Sequence, residues 1–477
     1  MSKKPTGLGA FAVVAVGQMI SILGSSMTMF ALSIWVYDQT TSATAFSLLA
    51  FTGFAPVVLF SPIAGALVDR WNRKLVMMLS DLAAGLSTIA IFILFVTGHL
   101  EVWHMYIANF INGTFQSLQW PAYSAAISTM MPKEQYGRAN GLVALAGPVS
   151  QIFAPVLAAM FIGFWGFDIG ARNIMLIDIL TFSAAIGALL FVHIPQPKAS
   201  AEGMAARGSL LKESGFGFKY IFSRPSLLGL QLMFFYINLV ATIANTLMTP
   251  LILAGSENGE ATLATVMTSG AIGGVFGGLL LSAWGGPKRR IHGVLMGFTL
   301  NMIFSQVLMG FGFKLGSLID ITLFGVTGVG LVWALGNFIA PLLITILNGS
   351  NQAIWQAKVP PDIQGKVFSV RRFIAQITAP IGMLIAGPLA DHVFEPAMLD
   401  PTSVMGTIFS PLVGNQVGSG MALIFIIFGI LGAVGGLAGY LIPAVRNVED
   451  IMPDHDQDAA AFADSHENPA EAESASA

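Results

Sequence analysis

The chain has 477 residues, of which 55% are hydrophobic and only 10% charged, and its mean hydropathy is +0.75. Soluble domains carry about 25% charged residues, so a water-soluble globular protein is excluded, and the lack of cysteine removes disulfides and thiolate metal sites. The net charge of −3 hides a division: nine acids and no Lys or Arg follow Val448, leaving 22 cations against 16 acids before it.

A membrane-spanning helix needs roughly 20 mostly apolar residues. Polar and Gly/Pro punctuation cuts the chain into twelve such segments. The first six run at 11–36, 44–66, 76–98, 102–130, 139–166 and 173–194. The first follows Lys3 and Lys4, but its apolar run is too long for a signal peptide. A connection at 195–224 with five cations precedes six more, at 225–253, 262–284, 291–313, 317–346, 367–390 and 420–442. The segment 391–419, with "VFEPAM", is long enough to cover the outer mouth. With the N-terminus in the cytoplasm, twenty of the 22 cations fall on that side and only Arg172 and Lys314 on the other. The positive-inside rule then predicts a multi-pass protein of the cell (inner or plasma) membrane, in contact with the lipid bilayer, with both termini cytoplasmic. The expected organisation is a six-helix bundle at 1–194, a linker at 195–224, a second bundle at 225–446 and a disordered acidic tail at 447–477, too poor in apolar residues to order itself.

The two bundles echo each other. "MPKEQYGRANG" (131–141) aligns with "VPPDIQGKVFS" (359–369), "QIFAP" (151–155) with "QITAP" (376–380), and "GALVDRW" (65–71) with "GLLLSAW" (278–284). A duplicated unit predicts an all-α fold of two pseudo-symmetric halves with a substrate site between them.

"GALVDRWNRK" (65–74) resembles the signature between helices two and three of the major facilitator superfamily. Gly65, Asp69, Arg73 and Lys74 stand at its Gly, Asp, Arg and basic positions. Asn72 replaces a Gly, a change that a turn with positive φ tolerates. With Asp81 and the "PKEQYGRANG" loop, the match is closest to the drug-exporter branch that includes macrolide and siderophore efflux proteins. The resemblance implies a cytoplasmic gate of Gly65, Asp69, Arg70, Arg73, Lys74 and Asp81, in which Asp69 meets the N-terminus of helix eleven near Val367. Positive-inside placement alone explains Arg70 and Lys74, but not Asp69. The second copy has Ser282 in place of that acid. The family's exporters also carry a Gly-rich pattern on helix five. Gly141, Ser150, Ala154, Pro155, Ala158 and Ala159 keep its spacing with small residues, which points to close packing and to export.

Helices one, four, seven and ten line the cavity in this fold. Helix four carries Asn109, Asn112, Gln116 and Gln119 on one face, and helix seven carries Gln231, Asn238 and Asn245 at intervals of seven. Helix one offers Gln18, Ser21 and Ser25, and helix ten offers Trp333 and Asn337. Amides in hydrocarbon need partners or water, so these stripes predict a wet cavity; hydrogen bonding between helices explains them equally. Asp178, six residues inside helix six, and Asp320, four inside helix ten, are candidates for proton coupling or for hydrogen bonds to neighbouring helices. Helix four has Asn109 where many proton-coupled exporters have Arg.

There is no nucleotide-binding Walker string, no metal-ligand cluster and no concentrated nucleophile or acid–base set. The chain is therefore expected not to be an enzyme, to need no cofactor or metal, and to bind no nucleic acid. The reading is proton-driven efflux of amphipathic small molecules by alternating access. The alternatives are a dedicated exporter of a siderophore or lysolipid, and a sensor that binds without transport. With no cation found at mid-membrane, neutral or cationic cargo is expected.

Overall fold

The computed structural model describes residues 8–130, 136–192, 194, 217–323, 325–359 and 364–452. Ten helices among them are long and apolar enough to cross a membrane. Two further spans complete twelve. The 56-residue run Tyr136–Phe191 is two helices joined at Gly166, whose φ of 74° only glycine adopts without strain. The other is Val102–Met130, with 29 residues.

In chain order the spans are α1 (Leu8–Thr40), α2 (Ala43–Arg70), α3 (Arg73–Val96), α4 (Val102–Met130), α5 (136–165) and α6 (167–191). After the linker come α7 (Pro225–Gly255), α8 (Gly259–Trp284), α9 (Arg290–Gly310), α10 (Gly328–Lys358), α11 (364–399) and α12 (Ser419–Leu441). The helices keep large apolar side chains on their outer surfaces, such as Phe164, Leu180, Phe191 and Leu279. Lipid is the solvent that accepts such a surface.

The faces of the bundle differ. The basic face carries the connections between α2 and α3 and between α10 and α11; the opposite one is called the far face. On the far face a single apolar core runs through both halves, from Phe30 and Ile34 of α1 to Leu251 of α7, Trp333 of α10 and Phe425 of α12. On the basic face the core is split. One part, around Phe11, Met77 and Leu189, belongs to the first half, and another, around Leu227, Leu295 and Trp355, to the second. Contacts between the halves run mainly through α2 on α11 and α5 on α8. Among the described residues the halves thus share a core at the far face and none at the basic face.

Four expectations need correction. Helix ten begins at Gly328 and not at 317, because residues 317–327 form a connection with an isolated bridge between Leu323 and Val326 and a left-handed Gly325 (φ 78°). Asp320 therefore lies exposed in a connection and not inside a helix. Helix eleven continues to Leu399, followed by a separate helix at Val404–Val413, so "VFEPAM" is helical. The ordered body also extends past residue 447. Val445 and Val448 are fully buried, and Val448–Ile451 is a helical turn.

This last turn is clasped to the second half. The Glu449 carboxylate accepts the backbone N–H groups of Arg290 (3.2 Å) and Ile291 (2.9 Å), capping α9. The Lys358 amine, at the end of α10, donates to the carbonyls of Glu449 (2.6 Å) and Met452.

Candidate functional site

Among the described residues, the polar contact between the halves with the most hydrogen bonds is at the far face. A π-helical turn at Ala390–Phe394 near the end of α11 presents Asp391 to the first turn of α2. Its carboxylate accepts Ser42 Oγ (2.6 Å) and the backbone N–H groups of Ala43 (3.0 Å) and Thr44 (2.8 Å). A carboxylate on the free N–H groups of a helix start contributes about 0.3–2 kcal/mol. Gly387, one turn earlier, makes the approach possible: a Cβ there would stand 2.4 Å from Thr44 Cα and 2.8 Å from Ala43 O. One turn later, Glu395 caps α12 of its own half, accepting the N–H groups of Gly418, Gly420 (2.9 Å) and Met421 (3.3 Å). The connection on which Asp391 closes holds Thr41 at φ 46°, a strained conformation for a β-branched residue.

The expectations missed Asp391, yet the string was readable. "IAGALVD" (63–69) ends in Asp69, and "IAGPLAD" (385–391) ends in Asp391. The two close helices that run antiparallel side by side, so their acids stand at opposite faces.

Of the gate residues, Gly65, Asp69, Arg70 and Arg73 fall in α2 and α3, but their side chains lie outside the described residues. Lys74 reaches the end of α6 and donates to the carbonyls of Leu190 (3.2 Å) and Val192 (2.8 Å), a C-terminal cap within the first half. Asn72 is not in a positive-φ turn: at φ −67° it is the N-cap of α3, its Oδ1 accepting Leu75 N–H. Asp81 is separated from the signature. It is 6% exposed on α3, accepting Gln18 Nε2 of α1 (2.5 Å) and Gln119 Nε2 of α4 (2.8 Å).

Among the described residues Asp178 is the other buried acid of the first half, at 1% exposure. Ser25 of α1 (2.8 Å) and Thr88 of α3 (3.0 Å) donate to it. It sits near the middle of α6, deeper than expected, because that helix begins at 167 and not 173. Gly24 brings α1 against it, leaving 3.2 Å between a Cβ there and Asp178 Cα.

The amide stripes divide. Gln18 serves Asp81, and Asn109, 4% exposed, donates to Leu49 O of α2 at 3.2 Å. Asn112 keeps a buried Oδ1 with no partner, whereas Gln116 is exposed. In the second half Asn245 accepts Gln306 Nε2 (2.8 Å), and Asn337 donates to Val266 O of α8 (2.7 Å). Trp333 is not a cavity residue. It is fully buried in the far-face core, its N–H donating to Met309 O at 3.0 Å, with Phe313 edge-on against its ring.

Gln231 and Asn238 line a cavity of about 460 Å³ among α7, α9, α10 and α11 in the basic-face part of the second half. Asn301, Asn351 and Arg371 join them. Arg371 and Arg372, which the sequence counts among the cytoplasmic-side cations at the start of helix eleven, line it as well, so the mostly uncharged cavity that was expected carries cations at this end.

On α5, Ala154 and Ala158 are buried in the far-face core, and Ile152 O accepts Thr268 Oγ1 of α8 (3.3 Å) across the halves. Pro155 is buried beside them, Ser150 is buried with its hydroxyl unpaired, and the surroundings of Gly141 lie outside the described residues. Among the described residues no group of three His, Cys, Asp or Glu is placed to hold a metal ion.

A family model described as Major Facilitator Superfamily matches residues 14–383. Macrolide efflux protein A of Streptococcus pyogenes is 26% identical over 384 residues, covering 80% of this chain and 90% of the relative. Multidrug efflux pump Tap of Mycolicibacterium fortuitum is 23% identical over 399 residues, covering 81% and 91%. The crystal structure of a nucleoside transporter, NupG, superposes with a TM-score of 0.62 at 12% identity, covering 90% of this chain and 99% of that one. Likeness at that identity speaks for the fold alone.

Proposed function

The chain belongs to the Major Facilitator Superfamily, and on that premise we propose that it exports amphipathic small molecules from the cytoplasm by proton-driven alternating access. The observation that carries this reading is the unequal joining of the halves among the described residues, one shared core at the far face and two separate cores at the basic face. The sequence assigns twenty of the 22 cations to that side, so we take it as cytoplasmic and the state as the one in which an exporter loads from the cytoplasm. The efflux relatives support the direction and the cargo class.

The two acid-terminated strings act as alternate latches. Asp391 holds the far face shut by capping α2. When the halves rock, that contact opens, and Asp69, at the opposite end of α2, caps the N-terminus of α11. Each state thus has one carboxylate on one helix start, which keeps the two close in free energy. Asp178 and Asp81, buried carboxylates of the transport bundle, are the groups that take up and release the driving proton. Asp320 is withdrawn from that role by its exposed position.

The test is dye and macrolide-like drug efflux from cells, with and without a protonophore, beside labelling of Asn238→Cys by an impermeant maleimide. The chain's lack of cysteine makes the label specific. Efflux should stop with the protonophore. Asp391→Asn should raise labelling from outside several-fold, and Asp69→Asn should lower it. Efflux indifferent to the protonophore sinks the coupling, and equal labelling in both variants sinks the paired latches.

A further inference from the structure

The cavity of the second half has an unbalanced chemistry. Arg371 faces it from α11 with the exposed Arg372 beside it, and among the described residues no Asp or Glu lines it. The guanidinium is held in place: Nη1 donates to Gln352 Oε1 at 2.8 Å, and the group lies over the rings of Trp355 (5.1 Å) and Phe368 (5.8 Å). A guanidinium has five N–H donors, and among the described residues only one contact uses them. The cation is fixed in direction and has no ion-pair partner among the described residues.

Two amides beside it hold buried acceptors without a partner. Asn301 and Asn351 are 5% and 1% exposed, and in each the side-chain Oδ1 is buried without a hydrogen-bond partner. Most buried polar atoms in proteins are paired, so two orphans beside one cavity mark a polar region that its own helices do not complete. Arginine without an acid among the described lining residues, around a space of about 460 Å³, describes a site suited to an anionic group. That volume falls within the usual range for small-molecule sites, about 300–1,000 Å³. Phe234, Phe298 and Leu347 supply an apolar wall.

We infer that this cavity binds an amphipathic acid, whose carboxylate or comparable anionic group meets Arg371 and whose apolar part packs on Phe234, Phe298 and Leu347. A planar anion can take two parallel N–H donors from arginine, which a neutral isostere cannot match. The inference rests on the export reading only in naming this molecule as cargo. It replaces the expectation of neutral or cationic cargo, because the cation that an acid requires is present.

The experiment uses the full chain in nanodiscs of zwitterionic lipid, with calorimetric titration of 3-phenylpropionate and of its uncharged analogue 3-phenylpropionamide. The carboxylate should bind at least tenfold tighter. Arg371→Gln should reduce the preference below twofold, while Arg371→Lys retains part of it, both with unaltered melting profiles. Equal binding of the two probes overturns the inference, as does a full preference in a well-folded Arg371→Gln. Repeating the titration with anionic lipid separates the two sources of anion. A preference that survives supports cargo, and one that vanishes assigns the site to a lipid headgroup and overturns the cargo assignment. No ion gradient is involved. Lost efflux with intact carboxylate preference counts against export alone, and intact efflux without that preference counts against this site alone.

Discussion

The two halves share a duplicated plan but handle buried polarity in opposite ways. The first half buries acids and satisfies them from its own helices: Gln18 and Gln119 serve Asp81, and Ser25 and Thr88 serve Asp178. The second half turns a cation and several amides toward an open space and leaves acceptor oxygens unpaired. A carboxylate with matched donors ties α1, α3, α4 and α6 into one body. A guanidinium with no acid beside it among the described residues gains no ion pair until an anion enters. The difference separates a self-contained bundle from one completed by its ligand.

The contrast can be broken most sharply at Asp178. Asp178→Ala removes the acceptor shared by α1 and α3 and leaves buried hydroxyls without it, at a cost of about 2–4 kcal/mol. Thermal unfolding in detergent should fall by about 5–10 °C. An unchanged transition would show that the first half does not depend on its buried acids. Asp81→Asn is a smaller change, placing an amide donor against Gln18 or Gln119, and should cost about 1–2 kcal/mol by the same assay. Asn351→Leu in the second half should stay within about 0.5 kcal/mol of the parent or above it, since an unsatisfied oxygen is replaced by an apolar group of similar size. A loss as large as that of Asp81→Asn would mean that Asn351 already has a partner, and the comparison would fail.

The fold was legible in the sequence to the extent that lipid dictates it. Twelve apolar segments, a basic side and three repeated strings led to two six-helix bundles because hydrocarbon tolerates little else. Boundaries failed where polarity and helicity part company. Residues 317–327 contain Leu318, Ile319 and Ile321 and were counted into a helix, yet these side chains are exposed in a connection. The polar stretch 348–358 was counted out, although α10 continues through it. Partner choice was less legible still. Spacing placed Gln18 and Asn109 on the right faces, but whether an amide meets a carboxylate, a carbonyl or a cavity depends on the neighbouring helix. Trp333 shows the same limit: its N–H satisfies a carbonyl one helix away and leaves it nothing for a ligand. Asp391 could have been found by comparing "IAGALVD" with "IAGPLAD", an echo between α2 and α11, outside the register in which the two halves align.

The clasp around Glu449 bears on how the protein is made. The start of α9 is capped by a carboxylate 159 residues downstream, and the end of α10 by carbonyls 91 and 94 residues downstream. At translation rates of roughly 5–20 residues per second, the N–H groups of Arg290 and Ile291 wait on the order of 10–30 s for that partner. The first half can settle while the ribosome is still working. The second is closed only by the turn at Val448–Ile451, so a nascent chain stopped before Glu449 would hold a finished bundle beside one whose helix ends are still bare.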